Sequence, residues 1–230
     1  MAAIEAGQGG AVLCSGGLDS VVLLAEVARR AGGARVVPLY VSVGLAWEAQ
    51  ERLVLDRVIR ADAFRAVDAV VPLRFDMRDV YPDTHWAIRG EAPAFDTPDE
   101  DVYLEGRNVV LLTKAAVFMA RARLTRVFIG PLAGNSFPDA TAEFFESIGR
   151  SLSIGLASPV EVIAPFAGLS KADVIALGHS LGVPFELTLS CMQPVGDLHC
   201  GRCSKCRERR DAFRGAGIDD PTGYAVAPLR

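Results

Sequence analysis

Histidine, tryptophan and long apolar runs are scarce in this sequence of 230 residues, which has only three histidines and two tryptophans. The longest apolar stretches are interrupted by Lys114 and by Arg29 and Arg30, so no segment is expected to cross a membrane. The first ten residues contain Glu5 and lack the basic start of a secretory signal, which favours a cytoplasmic protein. Internal repeats and low-complexity tracts are also missing, which argues against fibrous and disordered classes.

Excess positive charge and abundant cysteine are missing too. With 24 Lys and Arg against 28 Asp and Glu, the net charge is −4, which makes a general nucleic-acid-binding surface an unfavoured interpretation. The five cysteines of a cytoplasmic protein are expected to be metal ligands or free thiols rather than disulfides. Half of the residues are hydrophobic, which is enough for one α/β domain with a core and a small appendage.

Short β-rich runs alternate with helical periods along most of the chain. Strands are predicted at 11–14, 36–43, 67–73, 126–130 and 160–164, and helices at 19–30, 46–60, 108–123, 139–152 and 170–181. Cys14, on the first strand, is expected to be a packed core residue. The alternation predicts an α/β fold in which a parallel sheet carries helices on both faces.

Two stretches break this alternation. Residues 76–106 are rich in proline and aspartate and contain aromatic residues, among them Trp86, Phe95 and Tyr103. A loop of this length in a compact domain is usually functional, so this one is predicted to cover the substrate. The second break begins at residue 184. We therefore predict a main α/β domain over 1–183 and a small metal-binding unit with an unpatterned tail over 184–230.

A short polar string follows the first predicted strand and opens the first predicted helix: Ser15, Gly16, Gly17, Leu18, Asp19 and Ser20. Glycine lets the backbone turn tightly and approach a ligand, and the amides at the start of the helix attract anions. The serine hydroxyls add donors, so the string predicts a loop that binds a polyphosphate. A plain strand-to-helix turn with Asp19 as the N-cap residue is the alternative.

Four cysteines fall within one short stretch: Cys191, Cys200, Cys203 and Cys206. Their spacing predicts a structural Zn²⁺ site, because four thiolates fill all positions of a tetrahedral ion. An iron–sulfur cluster and a redox dithiol are the alternatives. His199 could replace a ligand, but is otherwise expected to face solvent or substrate. Five basic residues are expected to surround the thiolates and stabilise their charge: Arg202, Lys205, Arg207, Arg209 and Arg210.

The string at 15–20 resembles the PP-loop of the ATP-pyrophosphatase superfamily, whose members cleave ATP between the α and β phosphates. The resemblance implies that Ser15, Gly16, Gly17, Leu18, Asp19 and Ser20 bind the pyrophosphate part of ATP. It implies further that Asp19 helps to place Mg²⁺, and that the sheet is adenine nucleotide α-hydrolase-like, a Rossmann-like arrangement. The combination of this loop with a four-cysteine knuckle resembles the 7-cyano-7-deazaguanine synthase family of queuosine biosynthesis. The resemblance extends over residues 11–210.

Four other segments match that family in order: Gly106-Arg107-Asn108, Phe137-Pro138-Asp139 with Glu143 and Phe144, Pro165 through Ser170-Lys171-Ala172, and Ser190-Cys191. The match implies that Arg107 and Lys171 act with Asp19 as catalytic residues. It also implies that Arg107, Asn108, Phe137 and Asp139 bind substrate. Local alternatives are helix capping by Asn108, Asp139 or Ser170. A lysine in the first helical turn opposes the helix dipole, which favours an anionic partner for Lys171.

The resemblance implies an ATP-dependent carbon–nitrogen ligase. Such an enzyme adenylates a 7-carboxy-7-deazaguanine-like acid, transfers the acyl group to ammonia, and converts the amide to the nitrile, releasing AMP and pyrophosphate. Structural Zn²⁺ and ATP-bound Mg²⁺ are the implied cofactors, and a homodimer is left open. The family's Tyr-Gly-Gln run is replaced here at 40–45. The alternatives are therefore a paralogue that uses another amine or a protein amine, a tRNA-modifying PP-loop enzyme, and a non-catalytic nucleotide sensor.

Overall fold

Five parallel strands form the centre of the protein, whose computed structural model describes residues 4–226 except the side chains of Asp99 and Glu100. The strands are β1 Gly10–Leu13, β2 Val36–Ser42, β3 Val71–Arg74, β4 Arg126–Phe128 and β5 Glu161–Ile163. Their order in the sheet is β3-β2-β1-β4-β5. Ala11 pairs with Val37 on one side and with Val127 on the other, which fixes β1 at the centre.

The described residues contain seven α-helices, α1 Leu18–Ala31, α2 Glu48–Val58, α3 Trp86–Arg89, α4 Arg107–Ala122, α5 Ala142–Leu156, α6 Lys171–Ser180 and α7 Ser204–Ala216. Helices α1 and α6 cover one face of the sheet, where Leu24 and Val174 join the same buried cluster. Helices α4 and α5 cover the other face through residues such as Leu112 and Phe145. A parallel sheet buried on both faces confirms the predicted α/β class.

Two predicted elements start three or four residues later in the structure, whereas the other predicted starts differ by at most two residues. Strand β3 begins at Val71, four residues late, because its pairing with β2 starts only at Leu39 and Val71. Helix α5 begins at Ala142 rather than at Asp139, because the Thr141 hydroxyl accepts a hydrogen bond from the Phe144 amide at 3.1 Å and caps the helix there. Asp139 instead lies in a short 3-10 turn at Pro138–Ala140.

Helix α7 occupies part of the chain for which the sequence indicated only an unpatterned tail. Among its buried residues, Cys206, Arg209, Ala212 and Phe213 follow helical spacing. Because a cysteine and an arginine occupy two of these positions, the apolar period is hidden in the sequence. By contrast, the predicted N-cap Ser170 is confirmed: its hydroxyl and the carboxylate of Asp173 form a capping box at the start of α6.

The strand order reverses direction between β1 and β4, since the chain leaves β1 towards β2 and β3 and returns to place β4 on the other side. In open parallel sheets, ligands bind in the crevice at the carboxyl ends of the strands at such a reversal. In the part of the chain that the structure describes, no helix is both long and apolar enough to span a bilayer.

Candidate active site

The polar string at 15–20 lies at the carboxyl end of β1 and leads into α1. Gly16 has φ +84°, and a Cβ there would come within 3.1 Å of the Glu51 carbonyl oxygen, so both its conformation and its surroundings require glycine. Gly17 is the N-cap of α1, and no side chain of the described residues caps the helix. The hydroxyl of Ser20 accepts from the Ser15 amide at 3.3 Å and donates to the Gly17 carbonyl at 2.9 Å, which shapes the loop. The first amides of α1 therefore face the cleft as an anion-binding end.

Asp19 and Lys171 are brought together from 152 residues apart. One carboxylate oxygen of Asp19 accepts from the Lys171 ammonium at 3.0 Å, and Glu208 of α7 accepts from the same ammonium at 2.6 Å. Burial lowers the pKa of Lys171, but Asp19 and Glu208 outweigh burial and hold the pKa above its ordinary value. The other Asp19 oxygen, Oδ1, is buried and has no hydrogen-bond partner among the described residues. This oxygen is available to a cation or a donor in the cleft.

Arg107, Asn108 and Asp139 meet at the start of α4. The Asp139 carboxylate accepts from the Asn108 amide at 3.0 Å and from the Asn108 side chain at 3.2 Å, so it caps the helix from a distant part of the chain. Burial raises the pKa of Asp139 although these hydrogen bonds favour its ionised form. The Nε of Arg107 is buried and unpaired within the described residues. Phe137 stands nearby, its ring centroid 5.0 Å from that of Tyr103.

These groups line one cleft with two adjoining lobes. The inner lobe, about 300 Å³, lies over the ends of β1, β2 and β4 and is bounded by Cys14, Tyr40 and Ile129. The outer lobe, about 540 Å³, extends from the phosphate loop towards Trp86 and Lys171. Each sequence-predicted ATP-site and substrate-site residue is brought to this cleft or to the loop beside it: Ser15, Gly17, Leu18, Asp19, Ser20, Arg107, Asn108, Phe137, Asp139 and Lys171 line it, and Gly16 completes the loop.

Part of the segment 76–106 lines the cleft. Val102, Tyr103 and Leu104 line the inner lobe, and Trp86 stacks on Trp47 at the outer lobe with ring centroids 5.7 Å apart. The segment is attached to α7, because Arg207 donates to a main-chain carbonyl in it at 3.1 Å. Its conformation is thereby tied to the cysteine-containing unit.

The four cysteines at 191–206 form a buried cluster whose sulfur atoms all lie within 4.8 Å of one another. Cys203 Sγ is 3.9 Å from Cys191 Sγ and 3.5 Å from Cys206 Sγ. The amide of Cys200 donates to the sulfur of Cys191 at 3.3 Å. Thiolates need such donors when buried, so this arrangement could bind a metal ion. Cys14 directly follows β1, lies outside this group of four, and is buried as expected for a core residue.

His199 and Arg209 have roles that differ from the sequence interpretation. His199 is buried and its Nε2 accepts from the Ser190 amide at 3.0 Å, so it faces neither solvent nor substrate. Arg209 is fully buried, and its guanidinium donates to Thr188 and Ser190 rather than to a thiolate. It also donates to the Phe185 carbonyl at 2.8 Å. Both side chains therefore form hydrogen bonds inside the C-terminal unit and stabilise it.

Replacing Arg209, whose side chain is fully buried in the C-terminal unit, should destabilise the protein. We expect Arg209→Met to lower the free energy of unfolding by about 3–5 kcal/mol, because the largely buried Asp220 carboxylate, 3.8 Å from the guanidinium, loses its cationic partner and the buried Thr188 hydroxyl oxygen loses its donor. Arg214→Met is the matched control, since Arg214 is 70% exposed and forms a surface pair with Asp211. Urea unfolding would measure both, and equal stability of the two variants would contradict the assigned role.

Sequence reasoning missed a buried carboxylate in the cleft. Glu51 of α2 accepts from the Tyr40 hydroxyl at 3.0 Å and lines both lobes. Burial raises the pKa of Glu51 to about 7, although Arg107 and the Tyr40 hydrogen bond lower it. The sequence did contain a signal for this residue. Glu51 and Glu48 occupy the same helical face as Val54 and Val58, and carboxylates are unexpected on a buried apolar face.

The sequence model of the family described as queuosine biosynthesis protein QueC matches residues 10–217. A 7-cyano-7-deazaguanine synthase of Methanothrix thermoacetophila is 38% identical over 224 residues, covering 92% of this chain and 96% of that protein. The one from Methanopyrus kandleri is 36% identical over 228 residues, covering 93% and 97%. A bacterial relative of the same name, from Koribacter versatilis, is 32% identical over 228 residues, covering 93% and 92%.

Among solved structures, the U34-tRNA thiolase NcsA from Methanococcus maripaludis with its [4Fe-4S] cluster superimposes with a TM-score of 0.52 at 11% identity. The alignment covers 93% of this chain and 69% of that one. At this identity the similarity concerns the fold alone, and it agrees with the expected Rossmann-like sheet of PP-loop enzymes. With the family model spanning most of the chain and relatives above 30% identity along almost its whole length, this protein belongs to the QueC family of queuosine biosynthesis.

Proposed function

We propose that this protein is an ATP-dependent carbon–nitrogen ligase that converts a 7-carboxy-7-deazaguanine-like acid, with ammonia, into the amide and then the nitrile. The observation that carries the proposal is the convergence of the phosphate loop with Lys171 and Arg107 on one cleft at the strand reversal. The names of the relatives, 7-cyano-7-deazaguanine synthases, supply the substrate class. AMP and pyrophosphate are the expected products of ATP.

In this proposal the substrate carboxylate attacks the α-phosphate of ATP and pyrophosphate leaves. The amides at the start of α1 and the serines of the loop hold the leaving pyrophosphate, where the positive end of the helix stabilises its growing charge. Lys171 adds a cationic group beside the loop. Its bonds to Asp19 and Glu208 hold the ammonium in place before substrate binds, so little reorganisation is needed during the reaction.

Mg²⁺ fits this site, because the buried Oδ1 of Asp19 is an oxygen acceptor with no partner among the described residues. When bound there with ATP, the ion would supply charge neutralisation at the phosphates. Asp19 would hold it from the first turn of α1, while its second oxygen keeps Lys171 oriented.

The acid would bind between aromatic and polar groups of the cleft. Phe137 is half-buried and can stack on a flat bicycle, as can the wall of Trp47 and Trp86. Asp139 already accepts two bonds from Asn108, and a carboxylate has further lone pairs that can accept from a guanine-type edge. Arg107 would bind an anionic group of acid or nucleotide through its planar guanidinium.

Zn²⁺ fits the cysteine cluster better than a four-iron cluster does. With Zn–S bonds near 2.3 Å, tetrahedral geometry places the sulfur atoms about 3.8 Å apart. Three sulfur pairs here measure 3.5, 3.9 and 3.9 Å. In a four-iron cluster each thiolate binds a different iron atom, which spreads the sulfur atoms further. Four protein ligands leave no open position, so the proposed role of the ion is structural: it joins the loop at Cys191 to α7.

Incubating the purified protein with 7-carboxy-7-deazaguanine, ATP, Mg²⁺ and ammonia, followed by mass spectrometry, tests the proposal. We expect the nitrile, with AMP and pyrophosphate. An amide as the final product, or an adenylate that reacts only with another amine, would identify a paralogue with a different acceptor. Failure to adenylate this acid, while other carboxylic acids react, would contradict the deazaguanine assignment and leave only the ligase class.

A further inference from the structure

The proposed ligase reaction needs a group that removes a proton, and none of the residues assigned above does so. Ammonia is mostly ammonium at neutral pH, and ammonium has no lone pair with which to attack an acyl-adenylate. Asp19 is paired with Lys171, and Asp139 accepts from Asn108. We propose that Glu51 is a catalytic residue that accepts this proton and so produces the ammonia nucleophile inside the cleft. This inference rests on the proposed function.

The position of Glu51 suits that role. The main chain of Glu51 packs against the phosphate loop, so closely that a Cβ on Gly16 would lie 3.1 Å from its carbonyl oxygen. Its side chain lines both the inner and the outer lobe, next to Ser15 and Arg107. The carboxylate therefore lies where the nucleotide, the acid and a small amine must meet. Proximity of this kind is what general-base catalysis requires first.

The neighbouring carboxylate shows what a purely structural role looks like. Glu48, one turn earlier in α2, accepts hydrogen bonds from the Ser42 hydroxyl and from the Val43 and Gly44 amides at 2.6, 2.7 and 3.0 Å. By accepting these hydrogen bonds, the Glu48 carboxylate stabilises the turn after β2. For Glu51, the donors that the structure gives are the Tyr40 hydroxyl at 3.0 Å and the Trp47 side chain, which orient the carboxylate and leave acceptor capacity towards the cleft.

The groups around Glu51 give it a pKa that suits a general base near neutral pH. Tyr40 and Cys14 face it from the sheet, Glu48 from its own helix and Arg107 from α4. Burial and Glu48 raise the pKa of Glu51, Arg107 and the hydrogen bonds from Tyr40 and Trp47 lower it, and the balance is a pKa of about 7. A base with a pKa near the working pH is present in its charged form and still strong enough to take a proton.

The step balances as follows. The Glu51 carboxylate takes one proton from ammonium and becomes a carboxylic acid, and the nitrogen gains a free lone pair. The nitrogen forms a bond to the acyl carbon of the adenylate, whose carbonyl electrons move to oxygen. The bond from carbon to the phosphate oxygen then breaks, and AMP leaves with the electron pair. The second nitrogen proton and the proton on Glu51 pass to solvent through the open cleft.

Glu51→Gln tests the proposal, because glutamine keeps the shape and the hydrogen bond but cannot accept the proton. We expect the amide-forming step to fall by about 10²–10⁴-fold, the range for losing a positioned general base. Adenylation without any amine, measured as pyrophosphate–ATP exchange, should stay close to the wild-type rate. Hydroxylamine is largely unprotonated at neutral pH, so hydroxamate formation by the variant should also stay close to wild type. Asp56→Asn, an exposed carboxylate on the same helix, is the matched control.

A second measurement needs no variant. With ammonia, the wild-type amidation rate should rise with pH and level off above the pKa of Glu51, near 7. With hydroxylamine, the rate should not show this rise. A Glu51→Gln variant that loses adenylation and amidation equally, or that amidates like wild type, would overturn the inference. A wild-type protein that never adenylates the acid would instead overturn the proposed function, and with it this role of Glu51.

Discussion

Asp19→Asn should reduce ATP cleavage by at least about 100-fold, the scale for losing one preorganised electrostatic group. The substitution keeps the size of the side chain but removes the charge that pairs with Lys171 at 3.0 Å. It also removes negative charge from the buried Oδ1, which makes this atom a weaker ligand for the proposed Mg²⁺. The measurement is pyrophosphate release in the presence of the acid, with AMP quantified by chromatography.

The matched control is Asp62→Asn, which makes the same change at a side chain that is 84% exposed and forms a surface pair with Arg65. It should cleave ATP as the wild type does. Thermal unfolding of both variants separates a catalytic loss from a folding defect. Release of ADP and phosphate by the wild type would contradict the PP-loop assignment, since that loop is proposed to hold pyrophosphate as the leaving group.

Cys203→Ser should cause a large loss of stability. Cys203 lies between Cys191 and Cys206 in the buried cluster, so its removal leaves three thiolates without a complete ligand set. Because metal binding is coupled to folding, we expect the free energy of unfolding to fall by more than about 4 kcal/mol, among the largest effects seen for single substitutions. Metal analysis should find about one zinc per wild-type chain and much less in the variant.

Cys14→Ser is the control for this experiment, since Cys14 is a buried cysteine outside the cluster. It should keep its zinc and lose less stability than Cys203→Ser. A wild-type protein that is fully folded without metal would contradict the structural role, and iron with labile sulfide would point to a cluster instead.

The metal-binding unit and the phosphate loop are physically connected. Helix α7 begins beside Cys203 and carries Glu208, which accepts from Lys171 at 2.6 Å and from Lys205 at 2.7 Å. Burial opposes ionisation of Glu208, yet Lys171 and Lys205 lower its pKa to about 2, so the link is charged at neutral pH. Loss of the metal should therefore reduce ATP cleavage as well as stability.

Local patterns in the sequence were sufficient for the α/β class, the phosphate loop and the set of four clustered cysteines. Each of these depends on residues that are close along the chain: an apolar strand followed by Ser-Gly-Gly, or thiols spaced to turn around one ion. The helix that carries Arg107 and Asn108 could be predicted for the same reason, since its apolar face repeats within a few residues.

Tertiary packing determined the side-chain pairs of the cleft and of the C-terminal unit, which join residues distant in the sequence. Asp139 reaches Asn108 across 31 residues, Lys171 reaches Asp19 across 152, and Arg209 finds acceptors about 20 residues away. No periodicity records such pairs, because each side chain satisfies its hydrogen bonds wherever the folded sheet and helices place a partner. Glu51 is the clearest case: in the sequence it is one of 28 acidic residues, and only its burial beside Tyr40 makes it a group with a pKa of about 7.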